Sequence, residues 1–245
     1  MLRGIIFDVD ETLVYYEGYN HRDWYEGWVK PELERRGIAL DYETYRKTVT
    51  GELPRSYVGQ FGIDYLEFWK IVDEVNLRYR REMAKMGRIK PFPDVSALEE
   101  LRKLGLRLAA VSNASQECTE FVLDLFNLRG SFEVVYGKDY SNLDGVKPSP
   151  YLVEKALKTL NLKPEEALMV GDSVHDVLAG KRAGLRTVNV TRFERVEGAD
   201  YYVKDLWELV ELVRELGNFQ PQTIYFQFPE ISKVSEGPLK RPKRQ

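Results

Sequence analysis

Residues 2–13 read LRGIIFDVDETL, a short apolar run rich in isoleucine that ends on two aspartates, Asp8 and Asp10, and a threonine, Thr12. An apolar run of this length without polar alternation is the pattern of a strand buried on both faces, and open α/β sheets build their chemistry at the carboxyl ends of such strands. Along an extended segment, residues two apart project to the same side, so Asp8, Asp10 and Thr12 can serve one ligand. Carboxylates held that close repel each other unless a proton or a cation lies between them, and a hard divalent ion such as Mg2+ is their natural companion. An aspartate is then available as a nucleophile toward phosphorus, with the metal offsetting its repulsion from an incoming phosphate. The same residues also fit a strand followed by an Asp/Thr turn that caps a helix, so the rest of the chain has to decide between the two.

The pattern recurs downstream. Further β-like segments span 106–111, 132–136, 167–170 and 186–190, with helical patterns at 95–104, 116–125, 150–160 and 174–183 between them. Ser149 suits an N-cap with Pro150 at the first helical position, and Gly184 suits the stop of the last of these helices. Strand and helix in alternation give an α/β fold with a parallel, doubly wound sheet, and the right-handed crossover rule leaves few topologies.

Residues 15–90 break the rhythm. They hold 14 aromatic residues and read as helices at 22–29, 31–36, 42–50 and 65–86, with Pro31 barring one continuous first helix. Because the alternation resumes only near 91–94, this is a helical cap inserted after the first strand, directly behind the Asp8 to Thr12 loop. Most of its aromatics pack against one another, while Tyr15, Tyr19, His21, Trp24 and Arg55 are candidates to face the site. Its 14 Lys/Arg against 13 Asp/Glu announce no polyanionic substrate. The expected division is a core of 1–14 and 91–216, a cap of 15–90 and a C-terminal extension of 217–245. Within that extension, residues 223–228 alternate enough for an edge strand, and the basic, proline-rich 237–245 suits a flexible tail.

Three more sets of polar residues fall beside strand ends. Ser112 follows the second strand, where a hydroxyl can bond an anion, although a lone serine is as well a turn residue. Lys147 precedes Pro148-Ser149-Pro150, a stiff helix entry from which a cation can neutralise both Asp8 and a bound phosphate. Gly171-Asp172-Ser173-Val174-His175-Asp176 places one acid at a strand end and a second four residues on, facing the same way. A helix N-terminus by itself also favours acids there. Four sets in this order, each beside a strand end, are what separates a site from four local coincidences.

Composition sets the surroundings. In 245 residues, 43% are hydrophobic and 31% charged, as in soluble globular proteins. A net charge of −3 and a pI near 5.7 give no electrostatic reason to expect nucleic acid or an anionic membrane as partner. The single cysteine, Cys118, allows no internal disulfide and points to a reducing cytosol. No stretch approaches the ~20 apolar residues of a membrane span.

Taken together, Asp8-Val9-Asp10-Glu11-Thr12, Ser112-Asn113, Lys147-Pro148 and the 171–176 segment with Ala179-Gly180-Lys181-Arg182-Ala183-Gly184 resemble the four motifs of the haloacid dehalogenase superfamily over residues 1 to about 210. The inserted helices resemble the cap of its phosphoglycolate phosphatase and β-phosphoglucomutase branch. The resemblance implies a Rossmann-like core with Asp8 as nucleophile and Asp10 as general acid and base. It implies that Thr12, Ser112 and Asn113 hold the substrate phosphate while Lys147 orients it and neutralises charge. It implies Mg2+ on the Asp8 carboxylate, the Asp10 backbone carbonyl and the Asp172 carboxylate, with Asp176 in support. The implied reaction is hydrolysis of a small phosphorylated metabolite through an aspartyl phosphate, by a cytoplasmic monomer or homodimer.

Two departures bear on this. Glu11 stands where many relatives carry glycine, so either this position has no need of a positive φ or the loop differs. Dehalogenases do not need the second aspartate, since no leaving alkoxide has to be protonated; Asp10 therefore favours a phosphatase or phosphomutase over a 2-haloacid dehalogenase. A phosphoacceptor signalling switch uses similar groups, but it carries the acceptor on a later strand and lacks a cap. A binding protein on an inactive hydrolase core would not need the motifs intact.

Overall fold

The computed structural model describes residues 1–217. In chain order its elements are β1 (Gly4–Phe7), β2 (Val14–Tyr16), α1 (His21–Trp24), α2 (Lys30–Arg35), α3 (Tyr42–Val49), α4 (Tyr65–Lys85), β3 (Ile89–Pro91), α5 (Ala97–Lys103) and β4 (Arg107–Ser115). There follow α6 (Gln116–Leu125), β5 (Val134–Lys138), α7 (Tyr151–Thr159), β6 (Ala167–Gly171), α8 (Val174–Arg182), β7 (Arg186–Val190), β8 (Tyr201–Val203) and α9 (Leu206–Gly217). The edge strand expected at 223–228 and the basic tail at 237–245 lie outside the described residues.

Six strands form one sheet in the order β5-β4-β1-β6-β7-β8, with every pairing parallel. This is the doubly wound α/β architecture expected from the alternation. β1 lies between β4 and β6, pairing Gly4 with Arg107 on one side and with Ala167 on the other. The order therefore departs in both directions from β1, and the strand carrying Asp8 opens at the switch point where such sheets hold ligands.

Alternation along the central strands sorts the core into two layers. Ile5, Phe7, Leu108, Ala110, Leu168 and Val170 face one way and pack with Leu98, Val122 and Leu206 of α5, α6 and α9. Ile6, Ala109, Val111 and Met169 face the other way, onto Leu152 and Ala156 of α7 and Ala179 of α8. Ile5, Ile6 and Phe7 are fully buried, each contributing about 1.5–3 kcal/mol of transfer free energy. The site loop is thus anchored on a strand buried along its whole length.

β2 and β3 were not anticipated. They form a two-stranded antiparallel stem, Val14 opposite Pro91 and Tyr16 opposite Ile89, through which the chain leaves the sheet and returns to it. Beyond the stem, α1 to α4 enclose a separate apolar cluster that includes Tyr25, Leu33, Tyr45, Phe68 and Val75, with the Tyr25 and Tyr45 rings stacked at 4.4 Å. Most of the aromatics of this segment are packing residues, as expected.

Pro31 does not interrupt the first helix. The chain is helical from α1 through a π-helical turn, Tyr25–Val29, into α2, and Pro31 sits in the first turn of α2. A proline costs a helix one N–H bond and crowds the carbonyl four residues earlier, here that of Gly27. The wider π turn spanning Gly27 accommodates both without a break. Among the described residues no helix is long and apolar enough to cross a membrane. Cys118 is buried on α6, as a small packing residue.

Candidate active site

β1 delivers Asp8 into an enclosed cluster. Its backbone N–H donates to Val170 O at 2.9 Å, which continues the β1–β6 ladder one residue past the strand and fixes where the side chain starts. The ammonium of Lys147, itself buried, donates to Asp8 Oδ1 and to Asp176 Oδ1 at 2.7 Å. Thr12 Oγ1 lies 3.0 Å from Asp8 Oδ2 and 2.9 Å from Asp172 Oδ1, one proton between two acceptors. Asp8, Asp172 and Asp176 each present an oxygen within 4.8 Å of the others. Burial raises the Asp8 carboxyl well above its ordinary range against the pull of Lys147, and the Asp176 and Asp172 charges raise it further. Burial likewise pushes Asp172 up to about 6, with Asp176 adding to it. Three carboxylates gathered around one ammonium make a hard-oxygen set that fits a divalent cation.

Local structure explains why these groups converge. The second oxygen of Asp176 accepts from Ser173 N at 3.0 Å and Ser173 Oγ at 2.6 Å, so the acid at the start of α8 closes its own helix entrance and turns its first oxygen to Lys147. Gly171 makes room for this: a Cβ there would lie 2.4 Å from Asp176 Cγ. Asn113 holds Lys147 at the backbone, donating to its O and accepting from its N, both at 2.7 Å. One of its two amide N–H groups is used in that clamp, and Asn113 still lines the cavity that contains Asp8.

Asp10 goes elsewhere. β1 ends at Phe7, and in the following loop the strand alternation no longer holds, so the Asp10 carboxylate leaves the metal-type cluster while still lining the same cavity. Both its oxygens are bound by Arg80, at 2.9 Å each, with Tyr16 Oη at 2.7 Å and Ser112 Oγ at 3.4 Å. Burial would raise Asp10, but the Arg80 guanidinium and the Tyr16 hydroxyl hold it below the usual carboxylate range. Between the two aspartates' destinations, Glu11 has φ +64. The loop does require the left-handed conformation that glycine would adopt freely, and glutamate holds it at a cost of about 1–2 kcal/mol. Burial and the nearby Asp10 and Asp172 push Glu11 up to about 7.

The helical segment covers this loop. A cavity of about 300 Å³ lies between it and the sheet, bordered by Asp10, Glu11 and Asn113 below and by Tyr19, His21 and Trp24 above. Two of the expected contacts are absent from it: Tyr15 packs on Phe92 at 4.9 Å, and Arg55 pairs with Asp144 and lies over Tyr65. Tyr15 belongs to the stem strand, whose alternation turns it away, and Arg55 sits on the outer rim of the segment.

Three groups were missed by sequence reasoning. Arg80 is one of three arginines in 78–81, and only packing says which of them turns inward. A signal did exist, since Asp73, Asn76 and Arg80 stand at i, i+3 and i+7 on α4 and form one polar stripe beside an apolar face. Asp73 binds Lys138 of β5 with both oxygens, at 2.9 and 2.8 Å, and the ammonium sits 3.6 Å from the centre of the Trp69 ring. Arg192 fastens the nucleophile loop by donating to Thr12 O at 2.9 Å while it pairs with buried Asp94 and lies over Phe92.

Comparison with known proteins agrees with this geometry. The family model described as haloacid dehalogenase-like hydrolase matches residues 2–184. A phosphoglycolate phosphatase of Aquifex aeolicus is 44% identical over 40% of this chain and 46% of its own, so the match spans about half the length of that relative. A pyrophosphatase PpaX of Bacillus anthracis is 29% identical over 78% of this chain and 83% of its own. Among solved structures, CbbY from Rhodobacter sphaeroides in complex with phosphate superposes with a TM-score of 0.62 at 26% identity, covering 85% of this chain and 96% of that one.

Proposed function

From the premise that this chain belongs to the haloacid dehalogenase-like hydrolases, we propose that it is a Mg2+-dependent phosphatase of small phosphate monoesters, acting through an aspartyl phosphate on Asp8. The observation that carries the reading is the Asp8 carboxylate itself. It is buried at the switch point of the sheet, held by Lys147 on one oxygen and Thr12 on the other, with an independent acid, Asp10, lining the same cavity. The relatives named phosphoglycolate phosphatase and pyrophosphatase, and a structural neighbour that binds phosphate, support the phosphoryl chemistry.

In this mechanism Asp8 attacks phosphorus in line with the leaving oxygen, and the protonated form of Asp10, a minor one while Arg80 and Tyr16 hold its carboxyl low, gives its proton to the departing alkoxide. Asp10 then removes a proton from the water that attacks the aspartyl phosphate, regenerating Asp8. Ser112, beside Asp10, is assigned to a phosphoryl oxygen, and Thr12, whose one proton lies between Asp8 and Asp172, to holding the nucleophile. Lys147 keeps its proton, because Asp176 and Asp8 outweigh the burial that opposes its charge, and so it neutralises the nucleophile and the transferred group. Mg2+ would be held by the Asp8 carboxylate, the Asp10 carbonyl and Asp172, with Asp176 behind them, and when bound it offsets the repulsion between carboxylate and phosphate. We further assign residues 15–90 as a cap that excludes water from the reacting atoms. Asp10 is what separates this reading from a dehalogenase, in which no leaving group has to be protonated.

The test is turnover. Release of many moles of phosphate per mole of chain from a generic aryl phosphate supports the enzyme. A single stoichiometric phosphorylation would turn the assignment to a phosphoacceptor switch, and halide release from a 2-haloacid without phosphate release would turn it to a dehalogenase.

A further inference from the structure

Asp10 and Glu11 line two adjoining cavities, the one that contains Asp8 and the one of about 300 Å³ beneath the helices. The second is at the low end of small-ligand site sizes. If the phosphatase reading holds, on which this inference rests, the leaving group lies there, because Asp10 must reach its oxygen.

The ion-paired charges of that cavity balance. Arg80 is bound at two points by Asp10 and Lys138 at two points by Asp73. Glu11 adds a third acid, which makes no ion pair among the described residues. A leaving group carrying a second phosphate or a carboxylate would find both cations already taken. To gain a cation it would have to detach Arg80 from Asp10 or Lys138 from Asp73, leaving a buried carboxylate uncompensated.

Tyr16, His21, Asn76 and Asn113 are engaged by neighbouring residues, but the rest of the neutral lining is uncommitted. Tyr19, Trp24, Tyr45, Trp69 and Tyr79 present aromatic surface to the cavity. The indole Nε1–H of Trp24 is buried without a hydrogen-bond partner among the described residues. The hydroxyls of Tyr19, Tyr45 and Tyr79 bond to no described residue either, though they are not closed off as the indole is. Unpaired hydroxyls lining a cavity on an aromatic wall fit a ligand that brings hydroxyls and an apolar ring face.

We propose that this cavity takes an uncharged, polyhydroxylated leaving group with an apolar face, so that the substrate is the monophosphate ester of a neutral sugar or sugar alcohol. The experiment is kcat/KM of the full chain with Mg2+ on glucose 6-phosphate and sorbitol 6-phosphate, on phosphoglycolate and pyrophosphate, on phosphoethanolamine, and on methyl phosphate. The neutral polyol esters should exceed the anionic and cationic ones at least about tenfold. Trp24→Phe, and Tyr19→Phe at a position 43% exposed and safe for folding, should each lower the polyol values roughly 3- to 10-fold, as loss of one hydrogen bond does. Their effect on methyl phosphate, which does not reach the wall, should be smaller. Preference for phosphoglycolate, pyrophosphate or phosphoethanolamine, or equal losses on polyol esters and methyl phosphate, overturns the neutral leaving group and leaves the phosphatase standing. No turnover of any ester, methyl phosphate included, removes both.

Discussion

Replacing Asp73 by asparagine should destabilise the protein by about 3 kcal/mol. Asp73 and Lys138 are 4% and 6% exposed, and their pair joins α4 to the end of β5. The substitution keeps the shape but removes the charge that stabilises a buried ammonium, and Tyr140 Oη, which donates to Asp73 at 3.0 Å, loses an ionised acceptor. Breaking one side of a buried pair costs about 3–5 kcal/mol. The Trp69 ring at 3.6 Å keeps about 2 kcal/mol of attraction for the ammonium, and the amide oxygen still accepts one bond, which places the loss at the lower end. At about 2–4 °C per kcal/mol for a chain of this size, Tm should fall by about 6–12 °C. Thermal and urea unfolding followed by circular dichroism measure it. The double variant Asp73→Leu with Lys138→Met removes both charges and should recover most of the loss, since a buried ion pair is worth little against well-packed apolar groups. A single variant within about 1 kcal/mol of the parent, or a double variant as unstable as the single, would refute the view that an orphaned charge is what the fold cannot hold.

Other outcomes follow from the site. Asp8→Asn should abolish phosphate release while leaving the circular dichroism spectrum and Tm unchanged or higher, because one of three crowded carboxylates is gone; measurable turnover after contaminating phosphatases are removed would count against Asp8 as nucleophile. Excess chelator should silence the enzyme and Mg2+ restore it. Asp172→Ala should cost more activity than Asp176→Asn, whereas Asp176→Asn should cost more stability, since Asp176 also closes the entrance of α8 through Ser173 N and Oγ; the reverse ranking in paired activity and melting measurements would exchange their roles. Arg80→Leu removes what holds Asp10 low, so the folded-state pKa of Asp10 should rise and the alkaline limb of the kcat/KM profile, where the proton Asp10 gives the leaving group is lost as pH rises, should move to higher pH; an unmoved limb would separate Arg80 from the chemistry. Glu11→Gly should relieve the positive φ and raise stability by about 1 kcal/mol; a lower Tm would show that the Glu11 side chain contributes more than its backbone costs.

The apolar strand of residues 4–7 and the motifs after it were legible because strand burial and strand ends are local properties of sequence. A run buried on both faces must lie inside a parallel sheet, and polar residues just past it can only gather at one edge. That logic found Asp8, Thr12, Ser112, Lys147, Asp172 and Asp176, and it found the helical insertion from the loss of alternation. It ran out where local rules stop. Asp10 lies past the end of β1, so counting by twos no longer said where its carboxylate points. That Asn113 also closes on the backbone of Lys147, 34 residues away, was set by tertiary structure alone. The stem strands β2 and β3 are three residues each, too short for any periodicity, and they exist only because distant parts of the chain, such as Tyr16 and Ile89, meet. Whether Glu11 carried a positive φ was undecidable from a residue that tolerates it poorly, and only the closed loop imposed it. Arg80, Lys138 and Arg192 were chosen by tertiary packing, because a cation on a helix or loop is solvated by default and becomes part of a site only when folding brings a buried carboxylate to it.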